Sequence, residues 1–263
     1  IILLVINSVE KIIIGLETFY DVLTSIEKIG QVTDLELEED VPFKGDTCYT
    51  NISLETENLY FKFPDSNKEI LNAITLKIEQ GEKILGENGS GKTTLIRILS
   101  GLLQPTNGSF YINDDTFRKI NLKQFRSQIG CITHSETPFE GSLLENITFN
   151  DNTLTTEDLK WAIDGAQLSS YIKSLPKGLE TRIFPEGKQL SSSNAQKLLL
   201  ARSIIHKPKI LFYEDPTDII DFITSDKNKW TIIVSSKNPY WKTKCNRSIT
   251  MQNGAIQLDL KTN

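Results

Sequence analysis

The chain has 263 residues, 38% hydrophobic and 24% charged, with a formal net charge of −5 and a pI near 5.3. That length holds one large domain, or one domain with an appendage, and the acidic balance argues against nucleic acid as a partner. Cys48, Cys131 and Cys245 are widely spaced, with no CxxC and only two histidines in the chain, which excludes a zinc site and points to free thiols in a reducing compartment. The sequence begins at Ile1 and its only methionine is Met251, so it reads as a piece of a longer protein with no complete signal peptide.

Residues 1–5 are wholly apolar and residues 12–14 continue the theme, yet the run is too short and too interrupted to span a bilayer alone. Two readings stand open: the end of a membrane helix, or an ordinary buried helix. Helical periodicity continues through Leu16, Phe19, Tyr20, Val22, Leu23, Ile26 and Ile29 and ends at Gly30. An acidic stretch (Asp34, Glu36, Glu38, Glu39, Asp40) followed by Pro42 and Gly45 marks a domain boundary. From Tyr49 the pattern alternates: Ile52 and Leu54, then Leu59, Phe61 and Phe63, read as two strands meeting at a Thr56-Glu57-Asn58 turn. A turn at residues 64–67 and a strand over residues 70–78 follow.

Next comes Gly86-Glu87-Asn88-Gly89-Ser90-Gly91-Lys92-Thr93, which fits the pattern of a phosphate-binding loop. Glycines let successive N–H groups point at phosphate oxygens, Lys92 reaches the terminal phosphates, and the Thr93 hydroxyl suits Mg²⁺. The loop opens a helix over residues 93–100, whose N-terminus favours an anion. A chance Gly-rich turn is the alternative, and the flanking strand (Ile84, Leu85) and periodic helix disfavour it.

Strands are expected at residues 108–112 and 130–133, around a short helix at residues 122–128. Residues 143–175 read as helical, with Thr155 as an N-cap before an acidic first turn. A long helix over residues 193–206 precedes two buried strands, residues 210–213 and 231–234. The chain ends in a hairpin turning at Gln252-Asn253-Gly254. Trp161, Trp230 and Trp241 read as packing residues.

With these pieces in order, residues 50–260 resemble the nucleotide-binding domain of ABC transporters of the exporter type. Besides the phosphate loop, the resemblance rests on Gly101 with Pro105-Thr106-Asn107-Gly108-Ser109, on residues 139–147 (FEGSLLENI), on residues 175–181 (LPKGLET), and on Ala201-Arg202 with Lys207-Pro208-Lys209-Ile210. It implies an α/β fold: a P-loop NTPase core with an antiparallel β subdomain and a helical subdomain, preceded by an N-terminal helix and linker. Residues 1–31 would be the end of the last membrane helix and its cytoplasmic extension, residues 32–48 an acidic linker, and residues 49–263 the nucleotide-binding domain.

The family mechanism implies ATP and Mg²⁺ as ligands, and a second nucleotide-binding domain and a transmembrane domain as partners. The chain would then be membrane-associated, with its nucleotide-binding domain on the cytoplasmic side. Phe63 would stack on adenine, although a core role reads nearly as well. Gly86, Asn88, Gly89, Ser90, Gly91, Lys92, Thr93 and Thr94 would hold the nucleotide, with Thr93 and Glu214 at the metal.

Several positions depart from the family pattern, and each departure has a physical consequence. The Walker B pair Asp-Glu is reversed as Glu214-Asp215, which displaces both carboxylates by about one bond. His134 stands where the family glutamine links Mg²⁺ to the membrane-domain contact, and Lys237 stands at the switch histidine. The signature becomes Leu190-Ser191-Ser192-Ser193-Asn194, without its two glycines. Asp221 takes the D-loop position. The strand before the loop is two residues short, which would draw the loop back by roughly 6–7 Å unless the preceding turn rearranges. After Asp221 only residues 222–230 precede the next strand, so a helix there is largely missing.

The expected function is therefore ATP binding coupled to transmembrane transport, with hydrolysis weak or lost. A non-hydrolytic regulatory half of a heterodimeric transporter is the alternative.

Overall fold

The computed structural model describes residues 2–35, 49–64, 66–87, 91–214, 219–225 and 227–261, with backbone alone at residues 3–10 and 87. The chain divides between residues 41 and 42 into two units. The first is one helix, α1 (Ile2–Thr33), carried three residues beyond Gly30. Its described apolar side chains are exposed on all sides, from Leu23 at 44% to Ile2 at 77%. Among the described residues no helix is long and apolar enough to cross a membrane. Residues 36–48, including Cys48 and most of the expected linker, lie outside the described residues.

In the second unit, β1 (Leu54–Phe61) and β2 (Leu71–Ile78) precede β3 (Lys83–Glu87), and the phosphate loop leads into α2 (Lys92–Leu99). The expected turn at residues 56–58 does not exist. Thr56 is buried and pairs with both Leu76 and Phe110, and Asn58 is a bulge at φ 44° where both pairing registers shift. Asparagine tolerates that left-handed conformation, so one strand continues through what the sequence disguises as a turn.

Next come β4 (Asn107–Ile112), β5 (Asp115–Thr116), α3 (Leu122–Ser127) and β6 (Ile129–Ile132). A helical region holds β7 (Gly141–Ser142), α4 (Leu143–Thr148), α5 (Thr156–Gly165), α6 (Ser169–Ser174) and β8 (Arg182–Ile183). Both Ser142 and Thr155 close capping boxes, with Glu145 and Asp158, so two of these helices start where side chains satisfy their first N–H groups. Then follow α7 (Ser192–Ile204), β9 (Ile210–Glu214), α8 (Ile220–Ile223), β10 (Thr231–Ser235), β11 (Arg247–Gln252) and β12 (Ala255–Lys261).

The central sheet runs β12-β11-β3-β10-β9-β6, parallel except for the β12 edge, and an antiparallel sheet runs β2-β1-β4-β5. Alternation along the central strands sorts their side chains onto two cores. Leu85, Leu211, Tyr213, Ile232 and Val234 pack with α4, α5, α7 and α8. Ile84, Ile210, Phe212, Ile233 and Ile249 pack with α2, α3 and the antiparallel sheet. Strands covered on both faces are why residues 210–214 are buried throughout. At the chain end, Asn253 (φ 50°) and Gly254 (φ 78°) make the tight hairpin turn that the Asn-Gly pair announces.

Both sequence contractions are absorbed locally. β3 extends into the first two motif residues: Gly86 pairs with Ser235 and Ile249, and Glu87 pairs with Thr250. Gly86 is therefore a strand residue, contrary to the expected loop position. The truncated helix survives as the single turn α8, and three aromatics fill beside it. Trp161, Phe222 and Trp230 lie with ring centroids 5.8–6.3 Å apart, and Trp230 Nε1–H donates to the Ile223 carbonyl at 2.7 Å. Trp241 is fully buried, as its packing reading requires.

Candidate functional site

At the C-terminal ends of the parallel strands lies a cleft of about 230 Å³ lined by Lys92, Thr93, His134, Glu214, Ser235, Ser236 and Lys237. The ladder explains the convergence. Ser235 sits opposite Gly86 on β3 and opposite Glu214 on β9, so the ends of β9 and β10 deliver their side chains to one place beside the end of β3. This is where α/β sheets open a crevice for ligands.

Gly91 caps α2 at φ 104°, and no side chain caps the helix. A Cβ at Gly91 would approach Leu71 Cδ2 at 2.9 Å and the Ile70 carbonyl at 3.1 Å, so the loop can end this close to β2 only with glycine. Lys92 and Thr93 are the first residues of α2 that face the cleft. A Cβ at Gly86 would lie 3.3 Å from Lys92 Cδ, which shows the lysine stem lying back along the strand end. Asn88, Gly89 and Ser90 lie outside the described residues.

Glu214 is only 6% exposed, and its Oε2 accepts the His134 backbone N–H at 3.0 Å. Its other oxygen has no hydrogen-bond partner among the described residues. The Thr93 hydroxyl and the Glu214 carboxylate are hard oxygen donors on one cleft, a set that suits Mg²⁺. Among the described residues no group of three or more His, Cys, Asp or Glu could hold a metal, so a cation here would take its remaining ligands from phosphate and water. The His134 imidazole and the Lys237 side chain also line the cleft, and Asp215 lies outside the described residues.

Other expected site residues stand elsewhere. Thr94, the third residue of α2, is buried at 8% exposure and is not among the cleft-lining residues. Phe63 is 38% exposed and packs edge-on against Phe61 at 5.0 Å, so it is not a core residue. It too lies outside the cleft lining. Leu190 packs against the core, and Ser191 caps α7 by accepting the Asn194 N–H at 3.2 Å. Ser192 and Ser193 begin that helix, and this whole segment lies off the cleft. Asp221 accepts Lys244 Nζ at 2.7 Å and the Tyr240 hydroxyl at 3.3 Å, and the lysine contact holds its carboxyl below the usual range.

Ser235 and Ser236 were not singled out from the sequence, although two small polar residues directly after a buried strand are the available signal. Also unannounced is a brace beside the site. Arg202 on α7 donates to the Asn146 carbonyl and to Asn146 Oδ1, each at 2.7 Å, and its guanidinium lies about 5 Å from the Phe139 and Phe149 rings. Asn146 in turn binds the Phe139 and Ser142 backbone, which ties α7 and α4 to the segment following His134. Burial raises the Glu136 carboxyl above its ordinary value in the same segment.

The sequence profile of the ABC transporter family matches residues 71–218. The chain is 32% identical over 213 residues to the ATP-dependent permease MDL1 of Candida albicans, covering 80% of this chain and 29% of that protein. It is 34% identical over 175 residues to the colicin V secretion/processing ATP-binding protein CvaB of Escherichia coli, covering 65% of this chain and 25% of that protein. A solved bacterial Atm1-family ABC exporter with ATP bound superposes with a TM-score of 0.81 over 91% of this chain and 44% of that one, at 20% identity, a likeness of fold. The chain thus spans less than a third of the length of these two sequence relatives.

Proposed function

This chain belongs to the ABC transporter family, and from that premise we propose that it is the ATP-binding domain of an exporter in which ATP binding outlasts an impaired hydrolysis step. The observation that carries the reading is the convergence of Lys92, Thr93, Glu214 and Lys237 on one cleft. Lys92 and the α2 N-terminus would take the terminal phosphates, and Thr93 with Glu214 would hold Mg²⁺, which supplies charge neutralisation when bound. Residues 190–194, off this cleft, would meet the nucleotide held by a second nucleotide-binding domain. Residues 1–31 would extend from a membrane helix on the same chain or join a partner's transmembrane domain, placing the nucleotide-binding domain on the cytoplasmic side.

Weak hydrolysis follows from Glu214-Asp215. Glutamate carries one methylene more than the family's metal-side aspartate, and Asp215 one fewer than its water-polarising glutamate. A displacement near 1 Å costs about a hundredfold in rate. Restoring the family order with Glu214→Asp and Asp215→Glu together is expected to speed phosphate release by at least about tenfold while ATP affinity changes little. Unchanged release in a folded, ATP-binding double variant would show that carboxylate order is not the impairment. It would favour the second reading, a non-hydrolytic half of a heterodimer, for which the degenerate signature Leu190-Ser191-Ser192-Ser193-Asn194 is the specific support.

A further inference from the structure

Two short connections bring the chain into β9 and β10 at the end of the sheet away from the nucleotide cleft. After α7, Lys207 turns at φ 53° with its N–H on the Ile204 carbonyl at 2.7 Å, and Pro208 leads on to β9. After the single turn α8, Asn228 N–H donates to the Ser225 carbonyl at 3.1 Å, Lys229 turns at φ 48°, and Trp230 leads into β10. Thr231 N–H donates to the Lys209 carbonyl at 2.8 Å, which holds the two connections together. With Trp161 of α5 they line a cavity of about 210 Å³, whose walls are Trp161, Lys207, Pro208, Lys227, Asn228 and Trp230. It lies at the starts of the two strands whose last residues, Glu214 and Ser235, reach the nucleotide cleft.

The lining is aromatic and cationic. The Trp161 and Trp230 rings lie 6.2 Å apart and tilted by 59°, so their faces meet at an angle instead of closing on each other. Trp230 is 3% exposed and its indole N–H is held by the Ile223 carbonyl, so that ring is fixed in place. Trp161 is half-buried, and its indole N–H has no acceptor among the described residues. No carboxylate lines the cavity among the described residues. Lys207 is paired with Asp158 at 2.5 Å, and the Asn228 amide donates to the Phe222 carbonyl at 2.7 Å. Lys227 is exposed and has no ion-pair partner among the described residues, so its ammonium is the charge left for a ligand.

Indole faces take flat rings, and an unpaired ammonium beside them favours an anion over a neutral or cationic group. Sites for drug-sized ligands run from about 300 Å³ upward, so this smaller cavity suits a molecule of one or two rings. We propose that it is a second ligand site, for a small planar aromatic carboxylate whose ring lies against Trp161 and Trp230 and whose carboxylate meets Lys227. The short stretch between Asp221 and β10 makes the site: after one turn of helix, residues 227–230 become cavity wall.

The test is titration of cinnamate into the whole 263-residue chain, followed by the nitrogen–proton correlation signals of its three tryptophan indoles. Tryptophan-to-phenylalanine variants assign the signals, and the fully buried Trp241 is the internal control. Saturable shifts at Trp161 and Trp230 are expected, with a Kd at or below about 1 mM, while Trp241 stays unmoved. Neutral cinnamamide should bind about tenfold more weakly. Lys227→Gln should lose about tenfold for cinnamate and nothing for cinnamamide, and Lys227→Arg should keep the preference for the acid. Trp161→Ala should lose both ligands.

Absence of saturable shifts at Trp161 and Trp230, or equal shifts at all three indoles, would overturn the site. Equal affinity for acid and amide, or a preference that survives in Lys227→Gln, would overturn the ligand class and the role of Lys227. Thermal melts establish that the variants fold. Should Trp161→Ala not fold, the Lys227 variants, changed at an exposed position, decide the matter alone. Each of these outcomes is independent of whether the nucleotide cleft binds ATP.

Discussion

Lys92→Ala is expected to weaken ATP binding by about tenfold to a hundredfold, the range of a charge-assisted hydrogen bond to phosphate. The lysine begins α2 directly after Gly91, so on this reading its ammonium and the helix's uncapped N–H groups would take the same phosphates. Its stem has a second task. With Gly86, Leu95, Ile96 and Ile249 it lines an apolar cavity of about 40 Å³ between α2 and the central sheet. Alanine therefore removes packing as well as charge, and Lys92→Met separates the two. Methionine should keep the melting temperature close to that of the unsubstituted chain while losing ATP affinity as severely as alanine. Methionine binding ATP normally would mean that the loop grips phosphate by backbone alone.

Arg247→Ala is expected to destabilise the second unit by about 3–5 kcal/mol, the cost of removing one partner from a buried ion pair. The guanidinium is 5% exposed and makes four hydrogen bonds. It makes two bonds to Asp259, at 2.8 and 2.6 Å, one to Glu82 at 2.7 Å and one to the Lys77 carbonyl at 2.6 Å. It thereby clamps β11 to β12, to the end of β2 and to the residue before β3. Lys261 still reaches Glu82 at 2.6 Å, but Asp259 loses the contact that does most to hold its carboxyl below its ordinary 3.8.

For a unit of this size the loss lowers the melting temperature by roughly 10 °C. Arg247→Lys should recover only part of it, since a single ammonium cannot match the planar fork. The pH dependence has a definite sign. Asp259 and Glu82 both have folded values below their ordinary 3.8 and 4.5, so their contribution is complete above those values and is lost as pH falls through the lowered ones. Stability of the unsubstituted chain should therefore fall across that acid window, and that of Arg247→Ala should fall less. Parallel acid profiles would remove these carboxylates from the account.

Much of this was legible because local chemistry and tertiary demand agree. The Asn253-Gly254 pair can do little but reverse a hairpin, Thr155 with Asp158 closes a helix start, and the unbroken apolar run of residues 210–213 fits only a strand covered on both faces. What was misread had one signal serving two structures. Asn58 looks like a turn residue because the conformation a turn needs is the one a bulge needs, and only pairing on both sides of β1 decides between them.

Gly86 was placed in the loop by its motif, whereas the ladder places it in β3, because a strand shortened by two residues still has neighbours on both sides to bond. The cleft itself was half legible. Lys92, Thr93, His134, Glu214 and Lys237 were named from the sequence, while Ser235 and Ser236 are brought in by register. The brace of Arg202, Asn146, Phe139 and Phe149 joins residues from two helices and a loop, a three-body arrangement that no spacing rule predicts.

The central claim is that ATP is held and barely turned over. Equilibrium ATP binding and steady-state phosphate release, measured on one preparation of the full chain with Mg²⁺, test it most directly. The predicted result is saturable binding lost in Lys92→Ala, with phosphate release accelerated when the Glu214-Asp215 order is reversed. Robust release from the unsubstituted chain, or no binding that depends on Lys92, would contradict it.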